Sequence, residues 1–521
     1  MRPNPAPGED QRRESHCRTF KKGQRCIVCH KHDSQTAGAF RENASGERGM
    51  RDSSVQLDIL ADEIRTADAI VVVGAGFSFE AGMPLSGQLA PLVWHALDGH
   101  PEVRRVTCDA LGVLPGHAKD VIGLDWAKLL VAFSSIAAAP DARKTFQQSF
   151  ARLDHERSLA CSTAHSALAR LIHRGRVVQA ISLNWDTLLE AAFRRQYGID
   201  LNGETIRLRK PHGDCQRPDE DWVLPHEPGS IPDELVQRMT ALAEERPRIL
   251  VIAGYSERDG VVVDRLIRPL ANRWRVFRIG LDVTGEGAIR RPAAEALAHI
   301  AERLCPEPEF PGWEYVSFGD QRGIAAAISG ESLGPKDVDA CPRLPYFASA
   351  RRALDLLHTV EVAGGSGCGK SITAWQLGAD FNREGWEVLR ANPACTDPDL
   401  SRTAVTTRPL WKRVLVIDDT QRFPDRFAER LAERAGDRIK VIRTTTDFEG
   451  EGSSAIRLPA KEAVRALADA IRQRRAEVLP IVRRYDSQVG DGYHDIPLEQ
   501  RITDAEKAST PWQFAYILRG G

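Results

Sequence analysis

Ala69–Pro84 reads AIVVVGAGFSFEAGMP, and the fold of the N-terminal half turns on it. Ala69 to Val73 is an unbroken apolar run, the pattern of a parallel strand buried on both faces. It stops at Gly74-Ala75-Gly76, where missing side chains let the backbone turn sharply and approach a ligand. A dinucleotide fingerprint places its third glycine at position 79, but that residue is Phe79, with Ser78 and Gly82 nearby. A strand, a small-residue turn and a helix start still suit a diphosphate, because free backbone N–H groups at a helix start favour anions. A ligand-free strand–turn–helix corner is the competing reading.

Outward from this stretch, the 521 residues predict two large domains or three smaller ones. A 42 % apolar fraction supports sizeable cores, and a net charge of −1 provides no global field toward nucleic acid or an anionic membrane. Direct nucleic-acid binding is therefore not expected. No apolar run reaches the length of a membrane span, and the N-terminus lacks an apolar signal core. Ten scattered cysteines suit a reducing cytoplasm better than a disulfide framework. Residues 1–52 are polar and read as a disordered leader. Within it, Cys26, Cys29, His30, His32 and Cys17 have zinc-ligand chemistry without a second paired knuckle.

Three further strands are expected in residues 53–335. Val177–Leu183 delivers Asn184-Trp185-Asp186 at its end, Arg248–Ala253 ends in Gly254-Tyr255-Ser256-Glu257-Arg258-Asp259, and Trp274–Ile279 follows. In an open α/β sheet ligands bind at strand ends, which singles out Asn184 and Asp186, although helix capping alone explains both. A short strand near Ile206–Leu208 precedes His212, held in a loop by Pro211 and Gly213. Gly, Pro and Asp residues mark a linker at 336–347.

The remainder, 348–521, opens on a phosphate-loop pattern, Gly364-Gly365-Ser366-Gly367-Cys368-Gly369-Lys370-Ser371. Its amides are expected to cradle phosphates of ATP, with Lys370 on the terminal phosphates and Ser371 on Mg²⁺. The strand Val414–Ile417 ends in Asp418, placed to hold Mg²⁺ through water, and Asp419, placed to polarise attacking water. A strand at Lys440–Arg443 ends in Thr444-Thr445-Thr446, and Thr445 is taken as a γ-phosphate sensor. The apolar terminal segment Thr510–Gly521 either docks on this core or marks a chain cut before further domains.

Residues 55 to about 320 resemble the sirtuin-like family. Gly74-Ala75-Gly76-Phe77-Ser78, with Met83 and Pro84, is similar to its NAD-binding turn. Asn184-Trp185-Asp186 is similar to its Asn-x-Asp segment, His212 stands where its catalytic histidine stands, and Gly254-Tyr255-Ser256 is similar to its ribose-binding loop. Residues 346–521 resemble the ATPase core of STAND switches, and the tandem resembles prokaryotic antiphage defence proteins. The resemblance implies a Rossmann-like sirtuin-type parallel sheet followed by a P-loop NTPase α/β domain. It also implies hydrolysis of NAD⁺ gated by ATP and Mg²⁺, with a homo-oligomer formed on activation by a phage-derived trigger. Asn184 would position ribose hydroxyls or water, Asp186 would orient the nicotinamide amide or offset positive charge, and His212 would be the general base. Deacetylating members carry two CxxC pairs after the catalytic histidine; Cys215 and Cys305 are isolated, so no structural zinc is expected. A non-catalytic NAD- or ADP-ribose-binding module and an NAD-dependent protein deacetylase are the alternatives.

Overall fold

The computed structural model describes residues 44–521 apart from 161, 204, 218–221, 225–226, 228–230, 246–247, 308, 394–409, 447–454 and 487–494. The leader cysteines and histidines lie outside the described residues. A helix begins at Ala44 and runs to Thr66, so helical structure starts inside the stretch expected to be a disordered leader.

The first sheet is wholly parallel. Its strands are β1 (Ala69–Val73), β2 (Val177–Ser182), β3 (Leu208–Arg209), β4 (Ile249–Ala253), β5 (Arg275–Ile279) and β6 (Ala288–Ile289), in the order β3-β2-β1-β4-β5-β6. This is the doubly wound order, and its direction reverses between β1 and β4, the position at which sheets of this kind bind ligands. Alternation along β1 sends Val71 and Val73 to one face, against Leu168, Val251 and Phe277, and Ile70 and Val72 to the other, against Leu250, Leu266 and Met239. Both faces are therefore core, as the unbroken apolar run requires.

Residues 86–160 add a helical layer over the strand ends, with its own aromatic core of Trp94, Phe133, Phe146 and Phe150. Trp185 inserts into that core, its ring 5.4 Å from Phe150 and 4.8 Å from Trp222.

The second sheet contains β7 (Trp313–Tyr315), β8 (Thr359–Gly364), β9 (Glu387–Ala391), β10 (Arg413–Ile417), β11 (Ile439–Thr446) and β12 (Ile456–Arg457), in the order β12-β8-β11-β10-β9-β7. All pairs are parallel except β7 with β9. The position of β7 differs from the expected division at 336–347, because Trp313–Tyr315 pairs with the second sheet. Residues 336–347 are also packed: Asp337 is fully buried on the Arg322 guanidinium, and Val338, Leu344 and Phe347 are buried. The terminal helix Pro511–Leu518 buries Phe514 and Leu518 against Ile324, Leu467 and Ile502. Among the described residues no helix is long and apolar enough to cross a membrane.

Where the sheets meet, His173 is fully buried between two carboxylates. Its Nε2 is 2.5 Å from Glu387 on β9 and its Nδ1 3.3 Å from Glu309. The ring stacks on Tyr197 at 3.7 Å, and Trp411 Nε1 donates to the His173 carbonyl at 3.1 Å. Arg413 bonds the other Glu387 oxygen at 2.7 Å.

Candidate functional site

The glycine corner closes on the loop after β4. Gly76 N donates to Gly254 O at 2.8 Å, and Gly74 N donates to Ala253 O at 3.2 Å. Gly254 has φ +63°, and a methyl group there would overlap the Phe77 backbone nitrogen. Only glycine permits this approach. Phe77 is buried with its ring edge-on to His165, 4.5 Å away, while Ala75 and Gly76 stay half-buried. Ser256 lies exposed beyond the contact. Met83 is buried in the helical layer with its amide on Ser78 O, and Pro84 is half-buried, so neither side chain shapes the corner itself.

Asn184 reaches back from the end of β2. Its Nδ2 donates to Gly74 O at 3.0 Å and to Ser78 Oγ at 3.1 Å, so both amide hydrogens hold the corner. The expected role at ribose or water is left to its oxygen. Trp185, facing the other way into the aromatic core, fixes the segment between Asn184 and Asp186.

Ser78 is the hub of this network. Its Oγ is 3.2 Å from His165 Nε2, whose Nδ1 is 2.8 Å from Ser162 Oγ. Burial alone drops the His165 pKa to about 3, so the ring is neutral. Burial lifts the Asp186 carboxyl to about 6 against the pull of Lys210 and a hydrogen bond with Ser78. A hydroxyl has one proton to give. Ser78 gives it to the ionised Asp186 and accepts from Asn184 and from the Nε2–H tautomer of His165, whose Nδ1 takes the Ser162 proton. Lys210 Nζ donates to Asp186 O at 2.6 Å, to Glu190 at 3.2 Å and to Asp214 at 3.3 Å, which ties the segment to the His212 loop.

His212 is not a surface histidine. It is 4 % exposed, and its Nδ1 donates to Leu183 O at 3.1 Å. That bond leaves the Nε2 lone pair available, and Nε2 is buried with no partner. Burial lowers its pKa, opposed by the Leu183 carbonyl and by the negative charge of Asp259, so the ring is an unprotonated acceptor at neutral pH.

The corner and the Asn-x-Asp segment, expected from sequence, thus share one hydrogen-bond network with Ser162, His165 and Lys210, which the sequence did not single out. His165 sits on a helix, Thr163–His173, whose Ala164, Leu168 and Leu171 read as core. The one available signal was a polar residue on that buried face.

The glycine-rich turn read from sequence as a phosphate loop joins β8 to the helix Lys370–Arg383. Gly365, Ser366 and Gly367 are exposed, Gly364 and Gly369 are half-buried, and Cys368 is buried beneath the loop. Lys370 Nζ folds onto Gly365 O at 2.9 Å. Ser371 Oγ donates to Asp418 Oδ1 at 2.8 Å across the sheet. A hydroxyl and a carboxylate side by side are the hard oxygen donors that Mg²⁺ takes. The threonine at this acid is Thr444: it donates to Asp418 at 2.8 Å and accepts from Asp419 N at 2.7 Å. Thr445, the residue picked from sequence, points to the opposite face and bonds Glu361 and Thr420. Asp419 turns the chain at φ +62°. A cavity of about 260 Å³ adjoins the loop, lined by Leu333, Leu344, Gly369, Lys370, Leu467 and Trp512 among others. Among the described residues, no group of three or more His, Cys, Asp or Glu side chains is placed to hold a metal ion.

Comparison with solved structures finds Sir2 enzymes. A Sir2 homologue in complex with NAD is 16 % identical, with 47 % of this chain and 93 % of that chain covered and a TM-score of 0.30. A structure described as the basis for the mechanism and regulation of Sir2 enzymes is 17 % identical, covering 48 % and 96 % at a TM-score of 0.30. Sir2Tm bound to a propionylated peptide is 13 % identical, covering 48 % and 99 % at a TM-score of 0.29. Each match spans about half of this chain. No protein-family model matches, and a search of curated proteins found no match.

Proposed function

We propose that the N-terminal half binds NAD⁺ and cleaves the bond between nicotinamide and ribose. The observation that carries this reading is the convergence of the glycine corner, Asn184, Asp186 and a buried His212 with a free ring nitrogen at the switch point of a doubly wound sheet. Nicotinamide departs as a neutral pyridine from a cationic ring, so strong acid catalysis is unnecessary. What the reaction needs is a held diphosphate, a base and negative charge near the oxocarbenium-like centre. Backbone N–H groups of Gly74–Ser78 supply the first. Neutral His212 accepts a proton at Nε2. Asp186, ionised above about pH 6, opposes the developing positive charge.

The acceptor is either the acyl oxygen of a modified peptide or water. The Sir2 structures found by comparison are named for acylated-peptide and acetyl-ADP-ribose complexes, which sides with deacylation over hydrolysis. Bond cleavage is common to both. The test follows nicotinamide release from NAD⁺ with and without an acetylated peptide, beside His212→Asn. Release that needs the peptide selects deacylation, release without it selects hydrolysis, and full turnover by the variant rejects the site. NAD⁺ binding without release by wild type selects the non-catalytic module.

The second half carries, in the same proposal, ATP binding at Gly364–Ser371, with Ser371 and Asp418 holding Mg²⁺, which would neutralise phosphate charge there. A STAND-type switch, a homo-oligomer and a phage-derived trigger are its furthest extension, tested by NAD⁺ loss in phage-challenged cells carrying the Lys370→Ala chain. Undiminished loss rejects the gating.

A further inference from the structure

The helix Lys370–Arg383 also walls a cavity away from its glycine-rich start. Gln376, Ala379 and Arg383 are spaced three and then four residues apart, which puts them on one face. Opposite them runs the segment 338–343, which leads into the helix Phe347–Leu357. The cavity between them measures about 220 Å³, with Val338, Asp339, Cys341 and Arg343 on one side and the three helix residues on the other. At about 30 Å³ for each water, it has room for a ligand of about eight non-hydrogen atoms.

Its walls carry both signs of charge and one unanswered acceptor. Gln376 is 3 % exposed, and its Nε2 donates to Val338 O at 3.1 Å and to Cys341 O at 2.9 Å. Both amide hydrogens are thereby spent on the opposite wall, while Oε1 is buried without a partner among the described residues. An unpaired buried acceptor is costly, so this oxygen calls for a donor, and the cavity beside it is where one can enter. Arg343 and Arg383 each give one N–H to the same Asp380 oxygen, at 2.5 and 2.8 Å. A guanidinium has five N–H groups, so most of these donors remain. Arg343 is steadied over the Phe347 ring, 4.4 Å away. Asp339 stands 3.6 Å from Arg383, too far for a hydrogen bond. Burial lifts the Cys341 thiol to about 12, so it adds no charge.

An anion alone would answer the arginines and leave Gln376 Oε1 and Asp339 without a donor. A cation alone would do the reverse. A small zwitterion satisfies both ends. We propose that this cavity binds a free α-amino acid, its carboxylate accepting from Arg343 and Arg383 and its ammonium donating to Gln376 Oε1 and Asp339. Val338 and Ala379 form a short apolar wall for the side chain, and the volume limits that side chain to about the size of valine.

Calorimetry on the full chain with L-valine, isovalerate and isobutylamine tests this, since the second lacks the ammonium and the third lacks the carboxylate. L-Valine should bind, and each of the others should bind about tenfold more weakly or worse, the scale of a hydrogen bond to a charged group. Arg383→Gln and Asp339→Asn each remove one charge from an exposed side chain, so the urea midpoint should hold. Both variants should weaken L-valine about tenfold, and Asp339→Asn should also shrink its advantage over isovalerate. Isovalerate bound as tightly as L-valine marks an adventitious anion only, held on two surface arginines, and overturns the proposal, as does equal binding of isobutylamine. No binding of any of the three marks a cavity that water fills, and overturns it as well. L-Valine bound equally by wild type and both variants lies elsewhere, which rejects the cavity.

Discussion

Asp186→Asn should make the protein more stable and the site less able. The carboxyl is fully enclosed, and burial moves its pKa from 3.8 to about 6 in spite of Lys210 and Ser78. At about 1.4 kcal/mol per tenfold change in proton affinity, that displacement amounts to about 3 kcal/mol. The sign follows from linkage. A folded-state pKa above the unfolded one gives a contribution fully present below pH 3.8 and lost as pH rises through about 6. Above pH 6 the folded wild type therefore bears the whole cost of an ionised, enclosed carboxylate. Asparagine bears none, and its oxygen still accepts from Leu188 N, a bond of 3.3 Å in the wild type. Urea unfolding from pH 4.5 to 8 reads the difference. The variant should gain about 1 kcal/mol at pH 4.5 and about 3 kcal/mol at pH 8, with nicotinamide release strongly reduced. A stability gap that does not widen with pH, or a variant less stable at pH 8, would refute the burial account of Asp186.

Three other outcomes follow from the same geometry. Burial disfavours a charged His173, but Glu387 and Glu309 outweigh it and raise its pKa. Its contribution is therefore complete below about pH 6.5 and lost as pH rises through the higher folded value. His173→Gln should cost about 3 kcal/mol at pH 6, progressively less in alkaline buffer, and a cost independent of pH in urea melts would reject the ion pair. Gly254→Ala forces a methyl group against Phe77 N at positive φ and should destabilise by about 2 kcal/mol while weakening NAD⁺ binding; an unchanged melting temperature contradicts the close approach. Lys370→Ala should weaken binding of a fluorescent ATP analogue at least tenfold with the fold intact, and equal affinity would remove the loop from nucleotide binding.

The strand ends were legible because parallel strands buried on both faces are apolar runs that stop abruptly, as at Gly74, Asn184 and Gly254. Their spatial order was not, since β1 becomes central only through pairing with β2 and β4, a long-range property that no local pattern encodes. The pairing of β7 with the second sheet was hidden for a similar reason. Trp313–Tyr315 is too short to announce itself as a strand, and its partner Glu387–Ala391 lies far along the chain. Thr444 and Thr445 are adjacent in sequence, but alternation puts them on opposite faces, and which face meets Asp418 depends on the register between β10 and β11. His165 hid in a helix pattern dominated by core alanines and leucines.

One helix joins what the sequence kept apart. His165 and His173 both belong to Thr163–His173. Eight positions at about 1.5 Å each separate them by about 12 Å along the axis. At one end His165 is fixed to Ser78 in the glycine corner, and at the other His173 is fixed to Glu387 on β9. Strand β9 pairs directly with β10, after which Asp418 accepts the Ser371 hydroxyl. The buried pair at His173 is an expensive way to hold two sheets together, since apolar packing of the same volume would serve stability as well. Its directional bonds to Glu387 fix the end of this helix against β9 and so hold the two sheets in register.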